Sequence, residues 1–436
     1  MSRVLTVALL CVLVPATGRA QTETSAVEAS LSAWVDAHRG EAVDLLERMT
    51  NINSYTLNPE GVKAVADVLA PRFEALGFDV RWIDGAAFDR AGHLFAERRG
   101  SGTNMLLIGH LDTVFERDSP FQEFTRVDET TVAGPGVGDM KGGLVIMLQA
   151  LEALESEGML DGMNLTVAMI GDEERGGSPR ELARADLVEA ARWADVALGF
   201  EGLETARSAA VARRGGTGWT LTTHGIRGHS SRVFTDDLGY GAIFEAARIV
   251  DAFREELAGE EFLTFSPGLI LGGSEVQRDA ATSSGSASGV SNVVAETATV
   301  TGDLRVVSSD QARDVIDRMR AIVADNLPGT SATLEVGGIP NGMPPTEGNY
   351  RLFEIYDQTS RDIGIGEIDL IDPMRLGGAD ISGVASFVDG ALAAIGGMGA
   401  GWHSFDETAD LDKIAIRTKL AAAFLLRLSQ GAFEGR

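Results

Sequence analysis

Short apolar runs alternate with amphipathic stretches through the first half of the chain. Ala26–Met49 carries apolar residues at helical spacing and predicts a pair of helices, and Val62–Ala75 predicts another. Asp79–Ile83 and His93–Glu97 alternate as strands. Met105–Ile108, Leu165–Ile170 and Val196–Phe200 are short unbroken apolar runs, the pattern of strands covered on both faces. Helical patterns at Gly143–Glu157 and Arg180–Trp193 lie between them. This alternation predicts an α/β fold, a mostly parallel sheet with helices on both faces.

The rhythm changes after Arg213-Arg214-Gly215-Gly216. Trp219–Thr223, Leu263–Leu271, Val293–Val306 and Ala332–Val336 read as strands, and Gly239–Phe253 and Asp310–Ala324 as helices. Ala281–Ser291, rich in glycine, serine and alanine, reads as a loop. Two helices among several strands predict a small α+β domain inserted in the first. The pattern then returns to the first domain with helix Asn349–Thr359, a turn at Gly377–Gly378, helix Ile381–Phe387, strand Leu392–Ile395 and helix Lys413–Leu428. The expected organisation is catalytic domain over 21–215 and 339–436, with the insert over 216–338.

Residues 1–20 carry a separate signal. Arg3 precedes the apolar stretch Val4–Val14, then Pro15 and Thr17-Gly18-Arg19-Ala20. That pattern reads as a secretory signal peptide cleaved after Ala20, too short to span a bilayer as a mature helix. The expected location is periplasmic or secreted, with no membrane attachment after cleavage. The one cysteine, Cys11, lies within this segment, so the mature chain has neither disulfide nor thiolate chemistry. At 436 residues the chain is long enough for two domains, and a formal charge of −27 argues against nucleic acid or an anionic membrane as partner.

Chemistry-bearing residues fall just beyond the predicted strand ends, where open α/β sheets build their sites. His110 and Asp112 follow the run ending at Ile108. An imidazole can bind a metal through one nitrogen while a carboxylate holds the other. Asp139 sits in Gly138-Asp139-Met140-Lys141-Gly142-Gly143 at a helix entry, where taken alone it reads better as a helix cap than as a ligand. Glu173 and Glu174 follow Leu165–Ile170, one suited to ligation and the other to general base work. Glu201 follows Val196–Phe200, and His403 follows a glycine-rich segment after Leu392–Ile395. Two histidines and three carboxylates are too many for one tetrahedral ion and suit a two-metal site. Nitrogen and oxygen donors without sulfur point to zinc, with cobalt or manganese as substitutes.

Taken together, His110-Leu111-Asp112-Thr113-Val114, Gly138–Gly143, Asp172-Glu173-Glu174, Phe200-Glu201 and His403-Ser404 resemble the co-catalytic dizinc exopeptidase and deacylase family. That family includes glutamate carboxypeptidase (glucarpidase), acetylornithine deacetylase and succinyl-diaminopimelate desuccinylase, and the pattern is nearest the glutamate carboxypeptidase type. The resemblance implies two Zn2+ per subunit, one on His110 and Glu201, the other on Glu174 and His403, with Asp139 bridging. It implies that Asp112 orients His110 and that Glu173 is the base for a metal-bridging hydroxide. It also implies that the inserted domain is a lid through which subunits form a homodimer, and that His229 is the lid histidine that reaches a partner's site.

The resemblance further places Asn292, Arg305, Arg375, Gly377 and Gly378 at the substrate. Glu201, rather than aspartate, resembles the carboxypeptidase and deacylase branches. The implied reaction is hydrolysis of the amide bond of peptidyl or N-acyl amino acids with a free carboxylate. Two other readings are an aminopeptidase on the same scaffold and a non-catalytic periplasmic binding protein. One departure bears on specificity. Glucarpidase-type enzymes carry an arginine in a Gly-Arg-Pro context after the last lid strand, where this chain has Gly338-Ile339-Pro340. A bidentate carboxylate clamp is lost there, which leaves Arg305 or Arg375 to replace it and suggests a less polar pocket.

Overall fold

A computed structural model describes residues 25–202, 207–280 and 282–433. The expected signal peptide lies outside them. Helices α1 (Ala26–Ala37), α2 (Arg39–Thr50) and α3 (Pro59–Ala75) lead into strands β1 (Asp79–Asp84), β2 (Gly92–Arg98) and β3 (Ser101–His110). Then come α4 (Gly142–Ser156), β4 (Met163–Ile170), α5 (Ala185–Trp193) and β5 (Val196–Gly199). The inserted domain holds β6 (Gly215–Gly225), α6 (Ala242–Leu257), β7 (Thr264–Gly273), β8 (Glu275–Asp279), β9 (Ser284–Ser288), β10 (Thr297–Val306), α7 (Ser309–Ala324) and β11 (Thr330–Val336). The chain returns through α8 (Glu347–Asp362), β12 (Gly390–Leu392) and α9 (Leu411–Ser429).

The main sheet has the order β1-β2-β4-β3-β5-β12. Strands β4, β3, β5 and β12 run parallel, while β2 pairs antiparallel with both β1 and β4. The period of two explains how β3 covers both faces. Met105 and Leu107 join one core with α4 and α9, while Leu106 and Ile108 join another with Leu187 and Ala191 of α5. α4 is buried almost all round, from Gly142 to Leu154, which is why its apolar residues do not form a single stripe.

The inserted domain has its own antiparallel sheet, β7-β10-β6-β11, with α6 and α7 packed on it over a separate core that includes Trp219, Ile249, Phe253, Val300 and Met319. It is a compact α+β unit between two crossings of the chain. At these crossings the backbone of Arg213 exchanges hydrogen bonds with Met343.

Four expectations are corrected. Ala281–Ser291, read as a loop, contains β9, which pairs with β8 as a hairpin from Glu275↔Ser288 to Asp279↔Ser284. Its small side chains leave the backbone free to pair but give no apolar face, so composition hid the strand. Ile381–Phe387 is not an α-helix but two 3-10 turns, Asp380–Gly383 and Ala385–Phe387. The strand expected at Leu392–Ile395 lies earlier, at Gly390–Leu392, and the helix expected over Arg180–Trp193 is interrupted at Arg184.

Asn349, buried in the first turn of α8, joins the two lid crossings to the main sheet. Its Nδ2 donates to Val211 O at 2.9 Å and Pro344 O at 3.0 Å, and its Oδ1 accepts from Ala391 N at 2.8 Å. Asn349→Ala is expected to orphan these groups and destabilise the chain by roughly 2–4 kcal/mol, about 1–3 for each unsatisfied buried group. Equilibrium urea unfolding measures it, and a loss below about 0.5 kcal/mol would contradict the account.

Candidate metal centre

The four parallel strands end at one edge, and the loops beyond them meet. His110 closes β3 and is buried. Its Nε2 lies 3.1 Å from Asp139 Oδ1. The other Asp139 oxygen lies 3.1 Å from His403 Nε2, which is also 3.3 Å from Glu174 Oε2. One carboxylate therefore stands between two imidazoles. The ligand atoms of His110, Glu173 and Glu174 lie within 4.8 Å of one another, and so do those of Asp139, Glu174 and His403. Glu201 lies outside both groups and forms an ion pair with Arg213.

The electrostatics fit this donor set to divalent cations. Burial pushes Glu173 well above the usual carboxylate range, and the charge of Glu201 adds to it. Burial likewise raises Glu174 and Glu201, opposed by His403 and Arg213 respectively. Burial would also raise Asp139, but hydrogen bonds from both histidines hold it low. His403 is held up at about 10 by its bonds to Asp139 and Glu174. Burial disfavours a charged His110, yet Asp112 and Asp139 keep its pKa well above the ordinary value. Acids so crowded are relieved by positive charge. Protonated imidazoles supply some of it, and divalent ions held by these nitrogens and oxygens would supply more.

Asp112 has two tasks. Its backbone carbonyl is 3.0 Å from His110 Nδ1, nearer than its carboxylate at 3.6 Å. The carboxylate instead accepts from Thr56 Oγ1 at 2.6 Å and from the backbone N–H groups of Glu173 and Glu174, each at 3.1 Å. It thus fixes the acid-bearing loop after β4. Arg184 braces the same loop, bonding Asp172 and lying 3.0 Å from Asp380.

Several supports escaped the sequence reading. Glu407, buried four residues after His403, accepts from the N–H groups of Gly136 (3.2 Å), Gly138 (2.9 Å) and Asp139 (3.0 Å). Burial pushes its carboxyl up to about 7 against those three bonds. An acid at that offset within the histidine loop was the available signal. Lys141 turns away from the centre, its ammonium on the carbonyls of Ile52 and Pro135, with burial lowering it to about 7. The indole of Trp402 lies against Gly138, where a Cβ would sit 2.4 Å from its Nε1. Gly138 therefore permits the close approach of the His403 and Asp139 loops.

The candidate residues of the inserted domain are placed apart from this centre. His229 and Asn292 are exposed neighbours on the inserted domain, with Ser230 N donating to Asn292 O at 2.9 Å and His229 Nδ1 2.8 Å from Ser231 Oγ. Among the described residues neither bonds to the five metal-ligand candidates. Arg305 pairs with Asp303 at 2.8 Å, and its Nη1 lies 3.6 Å from the place of a Cβ on Gly377. Gly377 and Gly378 turn their carbonyls to Arg213, at 3.0 and 3.3 Å. Arg375 is exposed beside them, with no carboxylate partner among the described residues. Ile339 is 44% exposed after the last lid strand.

The sequence pattern of Peptidase family M20/M25/M40 matches residues 106–427, well over half of the chain. Carboxypeptidase G2 of Pseudomonas sp. (strain RS-16) is 25% identical over 398 residues, 89% of each chain. Aminopeptidase PepT from Bacillus cereus superposes with a TM-score of 0.69 at 17% identity, over 89% of this chain and 98% of that one. The M20 family metallo-carboxypeptidase Sso-CP2 from Sulfolobus solfataricus gives 0.61 at 16%, over 89% and 99%. At these identities the structural likeness is one of fold.

Glu407 generates a test of this scaffold. Glu407→Ala is expected to strand three buried N–H groups and cost roughly 3–5 kcal/mol, whereas Glu407→Gln, which keeps an acceptor, is expected to cost about half as much. Urea unfolding of the metal-free chain measures both. Equal losses in the two variants would show that the amides do not depend on that oxygen.

Proposed function

The chain belongs to peptidase family M20/M25/M40 and is an enzyme of that family, and from that premise we propose a dizinc carboxypeptidase or amidohydrolase. It cleaves the amide bond of peptidyl or N-acyl amino acids that carry a free carboxylate. The observation that carries this reading is the Asp139 carboxylate set between His110 and His403, with Glu173 and Glu174 beside it. His110, Asp139, Glu174, Glu201 and His403 would hold the ions. When bound, such ions polarise the scissile carbonyl and lower the pKa of the attacking water.

The remaining steps fall to this chain's own groups. Glu173 takes the proton of the attacking water on a carboxylate oxygen and returns it to the leaving nitrogen. Its raised pKa suits both halves of that task. Asp112 holds Glu173 in place through the backbone N–H. The substrate's carboxylate is received between lid and floor, by Arg305 and the N–H groups of the Gly377–Gly378 loop. The likeness to Carboxypeptidase G2 supports this polarity.

A second copy of the chain completes the site. His229 and Asn292 share one exposed face of the lid and, among the described residues, make no bond to their own centre, which is the arrangement expected of groups donated to a neighbour. Residues 1–20 read as an export signal, and no helix among the described residues is long and apolar enough to cross a membrane.

The test is a panel of N-acyl amino acids and C-terminally varied dipeptides on protein loaded with Zn2+ or Co2+. Turnover should require a free carboxylate, stop on chelation and return with metal. Glu173→Ala should lose roughly 10²–10⁴-fold in kcat. Turnover confined to substrates with a free α-amine would make the enzyme an aminopeptidase, and wild-type turnover by Glu173→Ala would remove the proposed base. Ile339→Arg is expected to raise the preference for acidic C-terminal residues. An unchanged preference would remove Ile339 from the pocket.

A further inference from the structure

We propose that Arg213 is a positioning residue, which holds Glu201 and the Gly377–Gly378 loop in one fixed geometry from the hinge of the lid. The inference rests on the metal-hydrolase reading above, since it concerns a candidate ligand of that centre. Arg213 is buried, and its guanidinium has two kinds of partner. Nη1 bonds Glu201 Oε2, while Nε donates to Gly377 O at 3.0 Å and Nη2 to Gly378 O at 3.3 Å. Among the described residues Glu201 has no other side-chain partner. Its orientation therefore depends on this one arginine.

The backbone of Arg213 gives the side chain its leverage. Arg213 N donates to Met343 O at 3.0 Å and Met343 N to Arg213 O at 2.9 Å, so both lid crossings meet at this residue. Two residues on, a Cβ on Gly215 would lie 2.0 Å from Asn341 O, so the crossings are as close as backbone allows. Arg214 ties the lid to the segment before the glycine loop, bonding Thr264 Oγ1 at 2.7 Å, Met374 O at 2.7 Å and Pro373 O at 3.2 Å. Adjacent arginines thus point one into the floor and one between lid and floor. A planar guanidinium reaches a carboxylate and two carbonyls at once, and a lysine ammonium on a flexible stem does not. The carboxylate grip leaves the second oxygen of Glu201 for an ion, and the carbonyl grip turns the N–H groups of the loop away from Arg213.

The metal alone is the probe. Metal-free wild type, Arg213→Met and Arg213→Lys are titrated with Co2+, following visible absorption and affinity. Melting temperature is recorded in parallel, and kcat and KM with a substrate from the panel. Removing a group that orients a metal ligand typically costs 10–100-fold in metal affinity or activity. Arg213→Met is expected to lose Co2+ affinity on that scale, to show an altered Co2+ spectrum at saturation, and to lose kcat more than KM changes. Arg213→Lys should keep a melting temperature nearer wild type yet still show the altered spectrum. A wild-type spectrum and kcat at saturating Co2+ in either variant would overturn the proposal, whatever the melting temperature, and leave Arg213 a structural ion pair. If Arg213→Met does not fold, Arg213→Lys decides alone. Wild-type protein that takes up no Co2+ would instead sink the metal reading beneath it, so the two failures are distinguishable by which protein fails.

Discussion

Negative charge concentrated at the ends of buried strands is the constraint around which the rest is arranged. Asp139, Glu173, Glu174 and Glu201 converge where water is largely excluded, and each would be costly there without positive charge or N–H donors. The loop architecture supplies both. Asp139 takes an imidazole on each oxygen. Glu201 takes a guanidinium. Glu173 stands beside His110, and burial together with the charge of Glu201 drives its pKa well above the carboxylate norm. The same crowding that would destabilise an ordinary core makes this place a receptor for cations.

Holding such a centre needs a rigid floor, and the floor is built from backbone amides and buried acids rather than from packing alone. Asp112 pins the Glu173–Glu174 loop by two N–H bonds, and Glu407 pins the Asp139 loop by three. These anchoring acids face main chain, while the acids proposed as ligands and base face one another. The division matters because a carboxylate satisfied by amides is fixed in orientation, whereas one satisfied by imidazoles can exchange them for an ion. The loop after β12 joins the scheme through two short strands: Gly399–Ala400 pairs with Thr408–Asp410, and Thr408–Asp410 pairs in turn with Thr131–Ala133 before Asp139. That pairing sets His403 opposite His110.

The legible part of this design was local in sequence. His110, Asp139, Glu174, Glu201 and His403 each follow an apolar run or a glycine-rich entry, so period and position were enough to draw them to one sheet edge. The inserted domain was visible because the strand–helix alternation breaks after Arg213–Gly216 and gives way to several strands with only two helices. What escaped depends on approach between distant segments. Arg213 reads as a charged residue in a loop until Glu201 and the glycine loop fold over it. Glu407 reads as a solvated acid until the amides of Gly136–Asp139 close on it. The β8–β9 hairpin has no apolar face to announce it, and the helix expected at Ile381–Phe387 fails at Gly383, where two tight turns replace it.

The placement of the arginines carries the argument one step further. A net charge of −27 leaves few cations to spare, yet Arg184, Arg213 and Arg214 are all buried or nearly so around the glycine loop, and Arg305 reaches toward it from the lid. Arg214 bonds two carbonyls and a hydroxyl, and its charge is opposed by Arg305 and favoured by Asp372 and Asp303. A protein so acidic gains nothing in solubility from cations placed there, and their repulsion is a cost to folding. The arrangement becomes economical once an anion lies among them. On the proposed reaction, the carboxylate of an amino-acid product or substrate would be such an anion. Arg184, Arg213 and Arg305 already meet carboxylates, on Asp172 and Asp380, on Glu201 and on Asp303, so an arriving anion would share these cations rather than neutralise an excess.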